Sequence, residues 1–231
     1  MEIKEDKSIA FQSLEKKVQK SIDVILETER RFGQDDIALT WTGGKDSTTL
    51  LSLIRTIHNG EIPFRVFNID TSVKFKEIYD FRDRLSKEWN MNLIILKHPN
   101  PQEVISNAKD SAECCYVLKA KVLDDAIKRY GVKSLMTAIR WDEHAARADE
   151  KYFSEREDHV RVNPILHFME KDIWSYIRSN NIPYCELYDR GYRSLGCAPC
   201  TAINTGTGPE RGGRAADKEK IMKNLRELGY F

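Results

Sequence analysis

Between Leu14 and Ile25 the apolar residues Leu14, Val18, Ile22 and Ile25 recur every three or four positions, with charges between them. That is the period of one buried face on an α-helix. The stretch from about Ser8 to Arg31 therefore predicts a helix, stopped near Gly33 and packed on the edge of whatever follows. The pattern then shortens. Ile37–Trp41 is an apolar, β-prone run, followed by a helical pattern over Thr48–His58 and a turn at Asn59-Gly60. The alternation repeats: Phe64–Ile69, Leu93–Leu96, Ser134–Ile139 and Val160–Val162 read as strands, and Lys76–Trp89, Cys115–Tyr130 and Lys171–Asn180 as helices. His98–Asp110 is polar and turn-rich and reads as a loop. From Tyr184 the chain is irregular, rich in Gly and Cys, with one last helix near Lys218–Leu228.

Strands alternating with helices through short turns predict an α/β fold. Its sheet is twisted, mainly parallel and five-stranded, with helices on both faces. In such sheets a ligand sits beyond the carboxyl ends of the strands, where strand order reverses. The turn after strand one, Asp70 after strand two and Arg140 after strand four should therefore meet at one crevice.

The chain of 231 residues suits one such unit. Its net charge of +1 gives no global signal for nucleic acid. No apolar run approaches the roughly 20 residues that span a bilayer, and no signal-peptide pattern opens the chain, so a cytoplasmic location is expected. In that setting the five cysteines read as metal or redox groups rather than disulfides.

The run Thr42-Gly43-Gly44-Lys45-Asp46-Ser47 joins strand one to its helix. Adjacent glycines let a backbone approach an anion and take positive φ without steric cost. A helix starting near Asp46 or Ser47 aims free N–H groups and a partial positive charge at the same point. Lys45 adds a cation, and Ser47 and Thr48 add hydroxyls. The spacing is neither that of the Walker loop nor G-x-G-x-x-G.

Cys114-Cys115 and Cys197-Ala198-Pro199-Cys200 offer four thiolates in two close pairs. Such a set suits a tetrahedral zinc ion or a 4Fe–4S cluster. Adjacent cysteines are rare in structural zinc sites, which favours the cluster; buried free thiols are the plainer alternative. Cys185 stands apart and reads as a packed thiol. After strand four, Arg140-Trp141-Asp142-Glu143-His144-Ala145-Ala146-Arg147 places two arginines where an anion could be clamped, with Asp142 as support for Mg²⁺. Arg156 could join them, and Lys119 could point toward phosphate. Arg211 and Arg214 lie in a Gly-rich tail that either closes over a nucleotide or is simply solvated. His144, His159 and His167 have no metal-like spacing. Trp174, Tyr176, Tyr184 and Tyr188 read as core.

The loop Thr42–Ser47 resembles the SGGxDS loop of the PP-loop ATP pyrophosphatases, with Thr42 in place of the usual Ser. With the Cys-Cys pair and Tyr188–Thr201, which contains Gly196-Cys197-Ala198-Pro199-Cys200, the chain from Ile37 onward is similar to the phosphoadenosine phosphosulfate (PAPS) reductase family. That resemblance implies an adenine-nucleotide α-hydrolase-like fold. It also implies an N-terminal helix over 1–33, a PP-loop nucleotide-binding domain over 34–183, and a Cys-x-x-Cys segment with tail over 184–231. The implied ligands are ATP at Thr42, Gly43, Gly44, Lys45, Asp46, Ser47 and Asp70, Mg²⁺, and a 4Fe–4S cluster on Cys114, Cys115, Cys197 and Cys200. Lys45, Asp46, Arg140 and Asp142 are the expected catalytic residues.

The family's reductases carry a nucleophilic Cys in a Glu-Cys-Gly-Leu-His tail, and nothing after Cys200 here is a Cys. The ending Leu228-Gly229-Tyr230-Phe231 is instead similar to the small subunit of sulfate adenylyltransferase, which generally lacks the Cys-Cys pair. The ATP pyrophosphatases of DNA phosphorothioation combine both features. The expected activity is thus cleavage of ATP to pyrophosphate with adenylylation of an oxyanion acceptor, either sulfate or a nucleic-acid oxygen destined for sulfur. Reduction of adenosine phosphosulfate (APS) or PAPS to sulfite, and a non-catalytic ATP-binding subunit, are the alternatives. Implied partners are a GTPase large subunit or a cysteine desulfurase, with nucleic acid reached through a partner; a homodimer is a further option.

Overall fold

A computed structural model describes Ile3, residues 5–220, Met222 and Arg226. Helix α1 spans Leu14–Arg31. Strand β1 (Ile37–Thr40) leads into α2 (Lys45–Ile57), then β2 (Arg65–Asp70), α3 (Lys76–Glu88) and β3 (Leu93–Lys97). A short α4 (Pro101–Asn107) and α5 (Ser111–Cys115) follow. Helix α5 continues through a π-helical stretch, Tyr116–Lys121, into α6 (Val122–Tyr130). Then come β4 (Ser134–Met136), β5 (Phe153–Glu155), β6 (Val160–Val162), α7 (Glu170–Ser179) and α8 (Ala216–Lys220). The expected last helix, Lys218–Leu228, falls largely outside the described residues. Among those, no helix is long and apolar enough to cross a membrane.

The sheet has six strands rather than five, in the order β3-β2-β1-β4-β6-β5. All neighbours are parallel except β5 and β6, which form an antiparallel hairpin at one edge. β5 escapes a pattern reading because only three residues pair, inside a charged segment. Strand order turns outward in opposite directions from β1 and β4. Their carboxyl ends therefore flank the crevice.

Alternate residues of β1 serve opposite faces, as strand geometry requires. Ile37, Leu39 and Trp41 join Val24, Leu50, Ile54 and Ile177 in the larger core, while Ala38 joins Phe67, Leu123, Ile127 and Leu135 in the smaller. α1 packs on α2, and α2 on α7. The Leu14-Val18-Ile22-Ile25 stripe of α1 faces the core, with Ile25 fully buried and Leu14 and Val18 packed half-buried against it, but the most buried line lies to one side of it. That line runs through Lys17, Ser21, Val24, Ile25 and Thr28. Lys17 is accommodated because its ammonium pairs with Asp172 of α7 at 2.5 Å, and a buried cation requires such a partner.

Two further boundaries differ from the pattern. The polar stretch 98–110 contains α4, begun by Pro101 at a position where its missing N–H costs nothing. The helix expected from Cys115 starts at Ser111, where Asp110 accepts the Glu113 N–H at 2.9 Å. The Cys pair therefore closes α5 at the mouth of the π-helical turn instead of opening a helix. Gly131, with φ of 62°, ends α6 in the left-handed conformation.

Candidate active site

The loop after β1 is built by its own hydroxyls. Buried Trp41 donates its indole N–H to Thr48 Oγ1 at 3.0 Å, fixing strand end to helix. Ser47 Oγ accepts the Thr42 N–H at 3.2 Å, and Thr42 Oγ1 accepts that of Gly44 at 3.3 Å. Gly43 holds φ of 80°, the left-handed conformation that favours glycine, and a β-carbon there would also crowd Ile78 Cγ2 at 3.2 Å. Gly44 caps α2, which begins at Lys45, three residues before the apolar pattern does. The Lys45 N–H donates to the Tyr188 hydroxyl at 2.8 Å. The amides of Asp46 and Ser47, in the same first turn, have no acceptor within the helix.

Charge is concentrated here. Lys45 is 1% exposed, and its ammonium donates to the Arg193 carbonyl at 2.9 Å and to Glu210 Oε1 at 2.5 Å, with Asp46 at 3.4 Å. Arg140, fully buried, pairs with Asp46, with Asp142 at 2.9 Å, and with the second oxygen of Glu210. Burial alone would weaken the Arg140 charge, but Glu210, Asp142 and Glu143 outweigh it and hold the guanidinium above its usual range. Burial likewise opposes ionisation of Glu143, yet Arg147, Arg211 and Arg140 keep it well below the usual carboxylate range.

A pocket of about 220 Å³ opens on this cluster. Thr42, Lys45 and Ser47 form one end, and Lys74, Lys119 and Cys197 the other. Thr40 and Thr137–Ile139, from the ends of β1 and β4, line it between them, as do Arg147, Arg211 and Arg214. Burial and the neighbouring Lys119 push the Lys74 ammonium down to about 8. The tail arginines are thus packed into the pocket wall.

At the far end Thr71 Oγ1 lies 3.2 Å from Cys197 Sγ. The Cys114 thiol is pushed up by burial and then by Cys115, Cys197 and Cys200. Among the described residues no three His, Cys, Asp or Glu side chains converge on a single metal ion. Cys185 is buried elsewhere in the core.

Other expected residues are placed differently. Asp70 accepts the Ser72 N–H at 2.7 Å and the Tyr79 hydroxyl at 2.9 Å, closing a turn outside the pocket wall. Asp142 also accepts the Glu170 N–H at 2.9 Å, tying the loop after β4 to α7. Arg156 pairs with Glu150, away from the loop. His167 and His159 are buried. Tyr188 does stack edge-on against Trp174, as a core residue would, but its hydroxyl reaches the loop. Glu210 and Lys74 carry no local signal, and Tyr188 and Arg193 stand out only as part of the stretch Tyr188–Thr201, without a role of their own. Each acts on a loop or thiol far away in sequence.

The phosphoadenosine phosphosulfate reductase domain matches residues 36–203. An adenosine 5'-phosphosulfate reductase of Oceanobacillus iheyensis is 32% identical over 201 residues, covering 82% of this chain and 81% of that protein. A sulfate adenylyltransferase subunit 2 of Zymomonas mobilis is 31% identical over 196 residues, covering 73% of this chain and 64% of that protein. Among solved structures, the phosphoadenylyl-sulfate reductase of Candida auris superposes with a TM-score of 0.66 at 20% identity, over 87% of this chain and 100% of that one. The FMN adenylyltransferase of Candida glabrata, bound to FMN and an ATP analogue, gives 0.65 at 17% identity, over 100% and 90%. At such identities the likeness speaks to the fold, which is the PP-loop one. With a loop, a strand order and a matched span that agree, this chain belongs to the phosphoadenosine phosphosulfate reductase domain family.

Proposed function

We propose that the protein cleaves ATP between its α and β phosphates and transfers the adenylyl group to an oxyanion acceptor. The observation that carries this is the loop. Lys45 lines a pocket whose walls come from the ends of β1 and β4, the Asp46 and Ser47 amides lie beside it in the first turn of α2, and Arg140 reaches the same loop through its ion pair with Asp46. An acceptor oxygen attacks the α-phosphorus, the bond to the bridging oxygen breaks, and pyrophosphate leaves with the electron pair. Lys45 and the loop amides hold the charge that develops, so positioning and electrostatics supply the rate. Asp46 and Asp142 offer the hard oxygen ligands that would hold Mg²⁺, which would offset phosphate charge when bound.

The four cysteines fit a cluster better than zinc. Adjacent cysteines such as Cys114-Cys115 are rare in structural zinc sites, whereas four thiolates in two close pairs suit a cubane. Cys114, Cys115, Cys197 and Cys200 would hold it, and it would supply electron transfer or sulfur relay. Sulfate is one acceptor and a nucleic-acid oxygen the other; a relative named as a subunit supports a partner protein, either a GTPase subunit or a cysteine desulfurase. A cytoplasmic setting goes with this reading.

Pyrophosphate release from ATP, with sulfate as acceptor, tests the reading. Lys45→Ala should lower it by ~10²-fold or more; unchanged release in that variant would overturn it. Reduction of APS is the second reading, favoured by the cysteine set and by the name of the Oceanobacillus relative. A phosphosulfate has no β,γ-pyrophosphate for Lys45 to hold. Sulfite release from APS with a dithiol reductant would favour that alternative.

A further inference from the structure

The segment after the Cys-x-x-Cys pair returns to the loop and inserts a carboxylate into it. Glu210 is 9% exposed, with one oxygen 2.5 Å from Lys45 and the other on Arg140. Lys45 is the cation to which the loop reading assigns the leaving pyrophosphate, and Arg140 shares its carboxylate neighbours. Two cations here face three carboxylates, those of Asp46, Asp142 and Glu210. Two of the three donors of the Lys45 ammonium are taken by the Arg193 carbonyl and by Glu210, and Asp46 Oδ2 stands 3.4 Å away as an ion pair. In this state the charges of Lys45 and Arg140 are already met by carboxylates of the chain itself.

We propose that Glu210 is a built-in stand-in for pyrophosphate, and that the loop takes its anion by exchange with this carboxylate. The proposal rests on the reading of the loop as a pyrophosphate site. A phosphate group on Lys45 and the Glu210 carboxylate cannot share that ammonium without like charges a few ångströms apart. Each therefore excludes the other.

The segment that carries Glu210 is suited to release. Gly208 has nothing within 4 Å of where a β-carbon would stand, and the nearest atom to Gly206 is 3.9 Å away and belongs to Gly208. That stretch is held by Arg193, whose guanidinium donates to the carbonyls of Gly206 and Gly208 at 3.0 and 2.8 Å. Arg193 in turn offers its own carbonyl to Lys45. Past Glu210 the chain is fastened again, with the Ala202 N–H donating to the Gly213 carbonyl at 2.7 Å. A loosely packed stretch on one side and a fixed point on the other let the carboxylate swing away while Arg211 and Arg214 stay at the pocket.

The test is calorimetric titration of inorganic pyrophosphate into the full chain, wild type and Glu210→Gln, with hydrogen exchange over residues 204–210 of the wild type. Glu210→Gln should bind at least ~10-fold more tightly, about 1.4 kcal/mol by the affinity relation. Pyrophosphate should speed exchange across the wild-type segment. Equal or weaker binding by Glu210→Gln, or slowed exchange, would overturn the stand-in role and leave the loop reading in place. Binding by neither protein at millimolar pyrophosphate would overturn the loop reading and this role with it. The exchange measurement needs no variant, so a Glu210→Gln chain that misfolds leaves the proposal open to refutation.

Discussion

The guanidinium of Arg214 occupies the space in which a β-carbon at Gly196 would stand, while its Nη1 donates to the Leu195 carbonyl at 2.7 Å. Residue 196 is thus the floor on which a pocket-lining cation rests. Gly196→Ala should push Arg214 aside, and because a side-chain end yields more easily than backbone, the fold should survive. Pyrophosphate affinity should fall roughly 10-fold, with unfolding free energy changed by less than about 1 kcal/mol. Calorimetry and a urea titration on the same sample check both halves.

Tyr188 offers a cleaner probe of the loop. Its ring is packed edge-on against Trp174, so Tyr188→Phe keeps the packing and removes only the acceptor for the Lys45 amide. A donor left without a partner costs roughly 1–3 kcal/mol. The melting temperature of the ligand-free protein should drop by several degrees. Saturating pyrophosphate should restore part of the loss, since its oxygens can take over that amide.

His167 sets an acid limit. It is fully buried between Tyr152 and the Lys17 carbonyl, at 2.9 and 2.8 Å. Since Nε2 must donate to that carbonyl, Nδ1 accepts from Tyr152 and cannot take a proton without losing this bond. Burial pushes the imidazole down to about 4 from 6.5. Between these values the unfolded chain binds a proton that the folded chain refuses, so stability falls as pH drops from 6.5 toward 4. The loss should reach roughly 3 kcal/mol. Urea titrations at pH 7 and 4.5 should show a smaller difference for His167→Gln than for wild type.

The thiols separate by position. Anaerobically purified protein should show the broad visible absorbance of an iron–sulfur cluster, and Cys114→Ser or Cys197→Ser should abolish it. Cys185→Ala should leave it intact, because Cys185 sits in the apolar core, away from the pocket. Retention of the band in Cys197→Ser would remove that residue from the ligand set.

The local parts of the site were written plainly. Gly43, Gly44 and Lys45 follow a β-prone run directly, and their chemistry depends on neighbours one to five positions away. The strands themselves followed from alternation, except β5, which pairs over only three residues, while their order in the sheet depends on pairings between distant segments. The stripe of α1 packs on the core as its period implies, but the burial of Lys17 beside it depends on Asp172, 155 residues away. Tyr188 and Glu210 stand 143 and 165 residues from Lys45. No periodicity or motif within one segment encodes such meetings; they exist only once the sheet has brought β1 and the tail to the same edge.

The insertion of Glu210 beside Lys45 has a consequence for synthesis. The ribosome delivers the loop early and its internal counter-ion late. A nascent chain that has already paired β1, β2 and β4 holds Lys45 without the Glu210 carboxylate until residue 210 emerges.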